Sequence, residues 1–352
     1  MTDSANSPAP RFEASDLVWL DVPDLEERRD WDLAYLVVGD EGALENGVTV
    51  LGHAAGVNRD RDWTQQPLNV DCGEATDRTD DAEAIAGFDG WIYLVGSHYG
   101  SKRGPLKAKR QWIARIAESA LGDAIATQSP DVAADVRLDK FRLHRAVNDA
   151  VRDRGLELIR RDERITVAFI NAAREEGKDW ADRLHDDDWP LNIEAAAFRS
   201  NGNLLIGLRF PVCADGSPLA VELEGVTQSF EGNTDPAVAA VWQLDGPGSP
   251  EEPVGFRAMV ADGADGFDAI LGSLDAEGKD SLVIECHPGG ATAHSQHWRF
   301  ELPDSHDGGL VTARPGKHFD VQGIEGLAHG PGGQFASVID DPRRIAIQFF
   351  AD

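Results

Sequence analysis

Three glutamates stand at one place in a recurring segment. They are Glu83 in Asp81-Ala-Glu83-Ala-Ile-Ala, Glu194 in Asn192-Ile-Glu194-Ala-Ala-Ala and Glu325 in Gly323-Ile-Glu325-Gly-Leu-Ala. A fourth copy, Gly255-Phe-Arg257-Ala-Met-Val, puts an arginine there, and Glu13-Ala-Ser15-Asp16 supplies a fifth with Ser15 or Asp16 at that place. Each copy leads into a second apolar run marked by small residues, and Glu83 to Gly96 and Glu194 to Gly207 both span thirteen residues. Radial repetition brings such positions to a common axis. Carboxylates meeting there repel and must be neutralised by a hard cation, a proton or an intervening arginine. Calcium accepts carboxylate and hydroxyl oxygens in flexible geometry. Glu83, Glu194, Glu325 and Ser15 are therefore the candidate metal ligands and Ca²⁺ the candidate cofactor, with Arg257 as the side chain able to replace the ion. A plainer role is open too: each glutamate could accept hydrogen bonds from backbone amides of the neighbouring repeat.

Downstream, the second runs end in His98, Arg209 and Asp340, with Asp40 and Glu41 in the first copy. If these face the same mouth, His98, Arg209 and Arg257 could hold an anion beside a metal, as in phosphoester hydrolysis, where positive charge stabilises a developing oxyanion. The candidate catalytic set is His98, Arg209, Glu41 and Arg257. The alternative pairs these bases with the glutamates as internal ion pairs. Other groupings are weaker. His294-x-x-His297 lies in loop and strand, and no helical H-E-x-x-H occurs. Asp262-Gly-Ala-Asp265-Gly-Phe-Asp268 lacks the closing glutamate of an EF-hand and reads as a turn. No nucleophile elbow, Walker loop or dinucleotide fingerprint is present.

The elements that would position these residues are short strands. Leu17–Leu20, Leu33–Val38, Val48–Leu51, Gly90–Val95, Leu204–Leu208, Ala220–Leu223, Val238–Trp242, Asp280–Glu285, His297–Leu302 and Arg344–Phe350 are apolar runs bounded by Gly, Asp and Asn. Strands in even succession together with the repeat predict an all-β chain. The expected architecture is a single β-propeller domain over 1–352, with five blades favoured and six possible. Helical spacing interrupts the rhythm across 135–184, predicting an α-helical insertion between blades on a binding face. Only 27 residues lie beyond the glutamate of the last copy, so N-terminal strands are expected to complete its blade.

Composition narrows the function classes. The formal charge is −29, from 62 acidic and 33 basic residues, and such a surface repels nucleic acid and anionic lipid. Fifteen of the basic residues fall between Lys102 and Arg164, a solvated helical region or a docking surface for an acidic protein partner. The three cysteines are far apart, which argues against a disulfide framework or a zinc knuckle. With no apolar signal core in 1–12 and no run of eighteen apolar residues, a cytoplasmic location is expected.

Tyr93-Leu-Val-Gly-Ser-His98, Leu191-Asn-Ile-Glu194, Leu204-Leu-Ile-Gly-Leu-Arg209 and Gly323-Ile-Glu-Gly-Leu-Ala328 resemble the bacterial family called domain of unknown function 3616. The resemblance covers most of the chain and implies a β-propeller without assigning an activity. Ala84 and Ala195 stand where an E-G-L-A pattern would carry glycine. More distantly, the order Ser15, Glu83, Glu194, Glu325 is similar to the calcium-activated apyrases, five-bladed propellers with an axial Ca²⁺; Arg257 departs from their pattern. These readings together give the expectation of a Ca²⁺-dependent hydrolase of a phosphate-bearing small molecule, acting at the channel mouth. The alternative is a non-catalytic propeller that binds a small ligand or a protein.

Overall fold

The computed structural model describes residues 13–40, 42–57, 63–177, 179–232, 234–275, 280–304, 308–339 and 345–351. Five sheets follow one another along the chain. The first holds β1 (Ala14–Trp19), β2 (Trp31–Gly39), β3 (Val48–Ala54) and β4 (Trp63–Asp71). The second holds β5 (Ala82–Phe88), β6 (Trp91–Gly96), β7 (Trp112–Ala117) and, after the short strand β8 (Asp131–Ala133), β9 (Asp135–Leu138). The third is built from β10 (Asn192–Phe198), β11 (Leu204–Phe210), β12 (Leu219–Glu224) and β13 (Ala237–Asp245). The fourth contains β14 (Gly255–Asp262), β15 (Gly266–Gly272), β16 (Gln296–Glu301) and, after β17 (Gly308–Thr312), β18 (Arg314–His318). β19 (Ile324–His329), β20 (Phe335–Ile339) and β21 (Ala346–Phe350) form the fifth.

The first strands of the five sheets pack on one another in the order β1, β5, β10, β14, β19 and back to β1. Each pair of neighbouring sheets shares its own apolar cluster. Leu36, Val50, Leu94 and Trp112 meet between the first and second sheets, and Tyr93, Val95, Ile206 and Val221 between the second and third. Trp242 and Phe256 meet between the third and fourth, Ile270 and Leu327 between the fourth and fifth, and Leu17 and Val338 between the fifth and first. Strands buried on both faces must be apolar there, which is why 33–38 of β2 and 204–208 of β11 read as unbroken hydrophobic runs. The arrangement is mostly β and propeller-like.

Two of the short strands leave their own sheet. β8 pairs in parallel with β4 of the first sheet, Val70 opposite Val132, and β17 pairs in parallel with β13 of the third, Gln243 opposite Leu310. After each, one alanine donates its N–H back across the seam, Ala134 to Asp71 O (3.0 Å) and Ala313 to Asp245 O (2.8 Å). The chain then rejoins its own sheet as β9 or β18. The outer edges of the first and third sheets are thus covered by the chain of the next sheet.

Two expectations are corrected. The helical stretch begins at Arg142, not 135, because Asp135–Leu138 is the outer strand β9. It comprises the helix Arg142–Asp153 and a shorter run from Glu163 to Glu176 with a π turn at Thr166–Asn171. Asp280–Glu285 is not a strand. Ser281 accepts the Ile284 N–H and starts a short helix, Leu282–Cys286, whose Leu282 and Val283 pack on the insertion's core of Phe141, Phe169 and Leu184. The expected N-terminal completion of the fifth sheet falls partly on residues 1–12, which lie outside the described residues; among the described ones that sheet holds only β19, β20 and β21. It closes on the first through β19 packing against β1.

Closure has a specific lock. Asp16, buried on β1, receives the N–H groups of Leu17 (2.8 Å), Ile85 on β5 (2.9 Å) and Leu327 on β19 (3.2 Å). One carboxylate therefore ties three sheets, the role sequence reasoning offered to the glutamates. Gly326 makes room for it: its φ is +64°, and a Cβ there would stand 2.9 Å from Asp16 Cα.

Candidate functional site

A slipped register makes the repeat functional. In β1 Ala14 pairs with Gly39 and Asp16 with Val38, leaving Ser15 as the extra residue. Glu83 is skipped in the same way between Ala82 and Ala84, Glu194 between Ile193 and Ala195, and Arg257 between Phe256 and Ala258. In β19 the slip falls one step later, between Glu325 and Ala328. A bulge residue is freed from the ladder and its side chain is re-aimed. Ser15, Glu83, Glu194 and Arg257 are turned in this way, and together with the paired Glu325 they line one cavity of about 600 Å³ where the first strands begin. A second slip, opposite Asn192 and Ile193, skips Arg209 on β11 and turns it into the same cavity.

Inside, the basic residues are engaged. Arg209 Nη1 donates to Glu194 Oε1 (2.9 Å), and its Nε donates to Ser273 O (3.2 Å). Arg257 Nη1 lies 3.5 Å from Glu194 Oε2, and its Nη2 pairs with Glu325 Oε1. Arg110 pairs with Asp81 (2.6 Å). The bland reading of the bases as internal ion pairs describes Arg209 and Arg257. The four proposed metal ligands share a cavity but do not fit one coordination shell. Arg257 stands between Glu194 and Glu325, and Arg209 takes the remaining oxygen of Glu194. Among the described residues the only metal-like grouping is elsewhere, at His185, Asp187 and Asp188. Arg145 and Arg152 already neutralise its two carboxylates.

Glu83 differs. It lines the cavity and has no hydrogen bond or ion pair among the described residues. Burial pushes its pKa well above the usual carboxylate range, with Glu194, Asp81 and Asp40 adding repulsion. Burial also raises Asp81, to about 6, against the pull of Arg110. Burial lowers Arg257 to about 10, helped by the nearby Arg209. Burial opposes the charge on Arg209 as well, but Glu194 and Asp275 outweigh it and its pKa is raised.

His98 is a correction. It is fully buried, has φ +55°, and is not part of the cavity wall. Burial and the neighbouring His144 push its pKa down to about 3, so it is neutral and faces the insertion rather than an anion. The next residue, Tyr99, lines the cavity instead. Glu41 and Asp340 lie outside the described residues. The His294-x-x-His297 pair does not chelate: His297 is buried on Asp268 (2.7 Å), while His294 stacks on His318. Sequence reasoning missed Asp81 and Asn192 as wall residues, although each opens its repeat two places before the glutamate. Arg110, Lys102 and Asp275, also on the wall, carried no such signal.

No protein-family model matches the chain, and no curated protein does. Solved structures do. It is similar to the major Malassezia sympodialis allergen Mala s 1, at 10% identity and a TM-score of 0.39, covering 95% of this chain and 94% of that one. It is similar to the Myceliophteria thermophila Cps50 (Swd1) β-propeller domain, at 8% identity and a TM-score of 0.34, covering 99% of each chain. Similarity to the Neurospora crassa Pan2 WD40 domain is at 9% identity and a TM-score of 0.32, covering 98% of this chain and 83% of that one. Likenesses at this level carry nothing about activity. No helix is long and apolar enough to cross a membrane among the described residues.

Proposed function

We propose that the chain is a five-bladed β-propeller and that its axial cavity is a binding site for a small ligand, the protein acting as a non-catalytic binding module. The observation that supports this most is the engagement of the bases. A hydrolase of phosphate-bearing molecules needs positive charge facing its substrate. Here Arg110, Arg209 and Arg257 are each held by a carboxylate of the wall, and His98 is turned away. The cavity has the size range of small-molecule sites. Four bulge residues and the paired Glu325 supply its wall from five separate sheets, a rigid frame for recognition.

A second reading, Ca²⁺-dependent phosphoester hydrolysis, keeps one observation in its favour: Glu83 has no cationic partner among the described residues. A panel of nucleotides and phosphoesters, assayed with Ca²⁺ and with EDTA, separates the two. The binding reading expects no turnover above that of Glu194→Gln under either condition. Turnover by the wild type that disappears in Glu194→Gln and in EDTA would establish the hydrolase and sink the binding module.

A further inference from the structure

Two acceptors on the cavity wall have no donor. Glu83, the bulge residue of β5, has neither hydrogen bond nor ion pair among the described residues. Asn192, at the start of the adjacent strand β10, is 8% exposed; its Nδ2 donates to Glu194 Oε1 (3.0 Å), which fixes the amide orientation and leaves Oδ1 without a partner. A buried amide oxygen left without a donor is costly, and native structures rarely tolerate one. The wall around this pair is acidic. Four cationic side chains (Lys102, Arg110, Arg209, Arg257) face seven carboxylates (Glu13, Asp40, Asp81, Glu83, Glu194, Asp275, Glu325) among the described residues. Arg257 also keeps Nε and Nη1 without hydrogen bonds, but its charge already serves Glu194 and Glu325.

Resting on the binding reading above, we infer that the ligand is a small organic cation carrying an ammonium group, received by the Glu83 carboxylate and the Asn192 Oδ1. An ammonium brings three N–H donors, which Glu83 and the Asn192 Oδ1 lack, and a positive charge in direct contact, whereas Arg209 and Arg257 act on Glu83 without an ion pair to it. Among the described residues the cavity's carboxylates are not gathered into a metal-sized shell, and a cavity of about 600 Å³ has room for a carbon skeleton behind the ammonium.

Isothermal titration with putrescine, in buffer of physiological ionic strength, tests this. The neutral isostere 1,4-butanediol and CaCl₂ are parallel titrants. One saturable putrescine site per chain is expected, with no binding of 1,4-butanediol. Glu83→Gln, isosteric and without charge, is expected to weaken putrescine by about tenfold or more, the loss of one charge-assisted contact. Glu224→Gln, at an exposed position on β12, is expected to leave it unchanged, which separates the site from the diffuse attraction of an acidic surface. Equal weakening in both variants would overturn the proposal, as would equal affinity for the diol. Binding of CaCl₂ with none of putrescine would overturn the ammonium while leaving a binding cavity in place. Phosphoester turnover, by contrast, would overturn the binding reading itself.

Discussion

Glu83 shows what a single uncompensated carboxylate does to its surroundings. Its pKa is raised by burial and by Glu194, Asp81 and Asp40, so the folded protein releases this proton at a higher pH than the unfolded chain does. The sign follows from linkage: a raised carboxylate costs stability above its folded pKa, and that cost fades as pH falls toward the unfolded value near 4. Asp81, raised to about 6, acts in the same direction between roughly pH 6 and 4. Glutamine mimics the protonated side chain. Glu83→Gln is therefore expected to melt above the wild type at pH 8, by ~1–2 °C for a chain of this length, and the gap is expected to close toward pH 4–5. A gap that is constant with pH, measured by differential scanning calorimetry, would mean that Glu83 is not titrating. The five positions were legible because they recur at one place in the repeat. Which of them would be paired was not, because pairing depends on a slipped register turning Arg209 onto Glu194 within its own sheet and on Arg257 reaching into both neighbouring sheets. His98 was misplaced for a related reason: its left-handed backbone breaks the alternation that would have sent it to the mouth.

Among the elements, the bulges and the exchanged strands do most of the positioning. A ladder in perfect register would turn Ser15, Glu83, Glu194 and Arg257 to one sheet face or the other; the extra residue re-aims them at the axis. The exchanged strands β8 and β17 hold neighbouring sheets at their outer edges, where an open strand would otherwise invite foreign pairing. Gly308 starts β17 with φ +79°, and a Cβ would stand 2.1 Å from Val241 O. Gly308→Ala is thus expected to cost about 1–3 kcal/mol and to loosen β17. Gly122→Ala, in the helix Glu118–Thr127 with only Val22 Cγ1 nearby at 3.9 Å, is expected to be neutral or slightly stabilising. Melting curves with limited proteolysis of the two variants check this, and equal stability would refute the clash at the seam. Most strands were readable from apolar runs and turn residues. β8, with three residues, and β17, which begins with two glycines, lacked any such run. Asp280–Glu285 read as a strand because the apolar tripeptide Leu282-Val283-Ile284 has no period of its own, and the Ser281 cap decided it.

At the scale of the whole molecule, closure is electrostatic as well as apolar. Asp16 joins the first, second and fifth sheets through backbone amides. Arg257 of the fourth sheet holds carboxylates of the third and fifth. The excess of acid gave the sign of the surface, but not that a buried guanidinium would neutralise two of the three repeated glutamates. Removing one partner of a buried ion pair typically costs 3–5 kcal/mol, because the other charge is left uncompensated. In Arg257→Gln, Glu194 and Glu325 lose their shared cation, and the vacated place suits a hard divalent ion. The decisive measurement is the melting temperature of wild type and Arg257→Gln, with EDTA and with millimolar Ca²⁺. The expected result is a wild type indifferent to Ca²⁺ through these two glutamates and a variant that melts several degrees lower in EDTA and recovers when Ca²⁺ is added. A variant that melts with the wild type in EDTA and gains nothing from Ca²⁺ would show that Arg257 is not the internal cation of this ring.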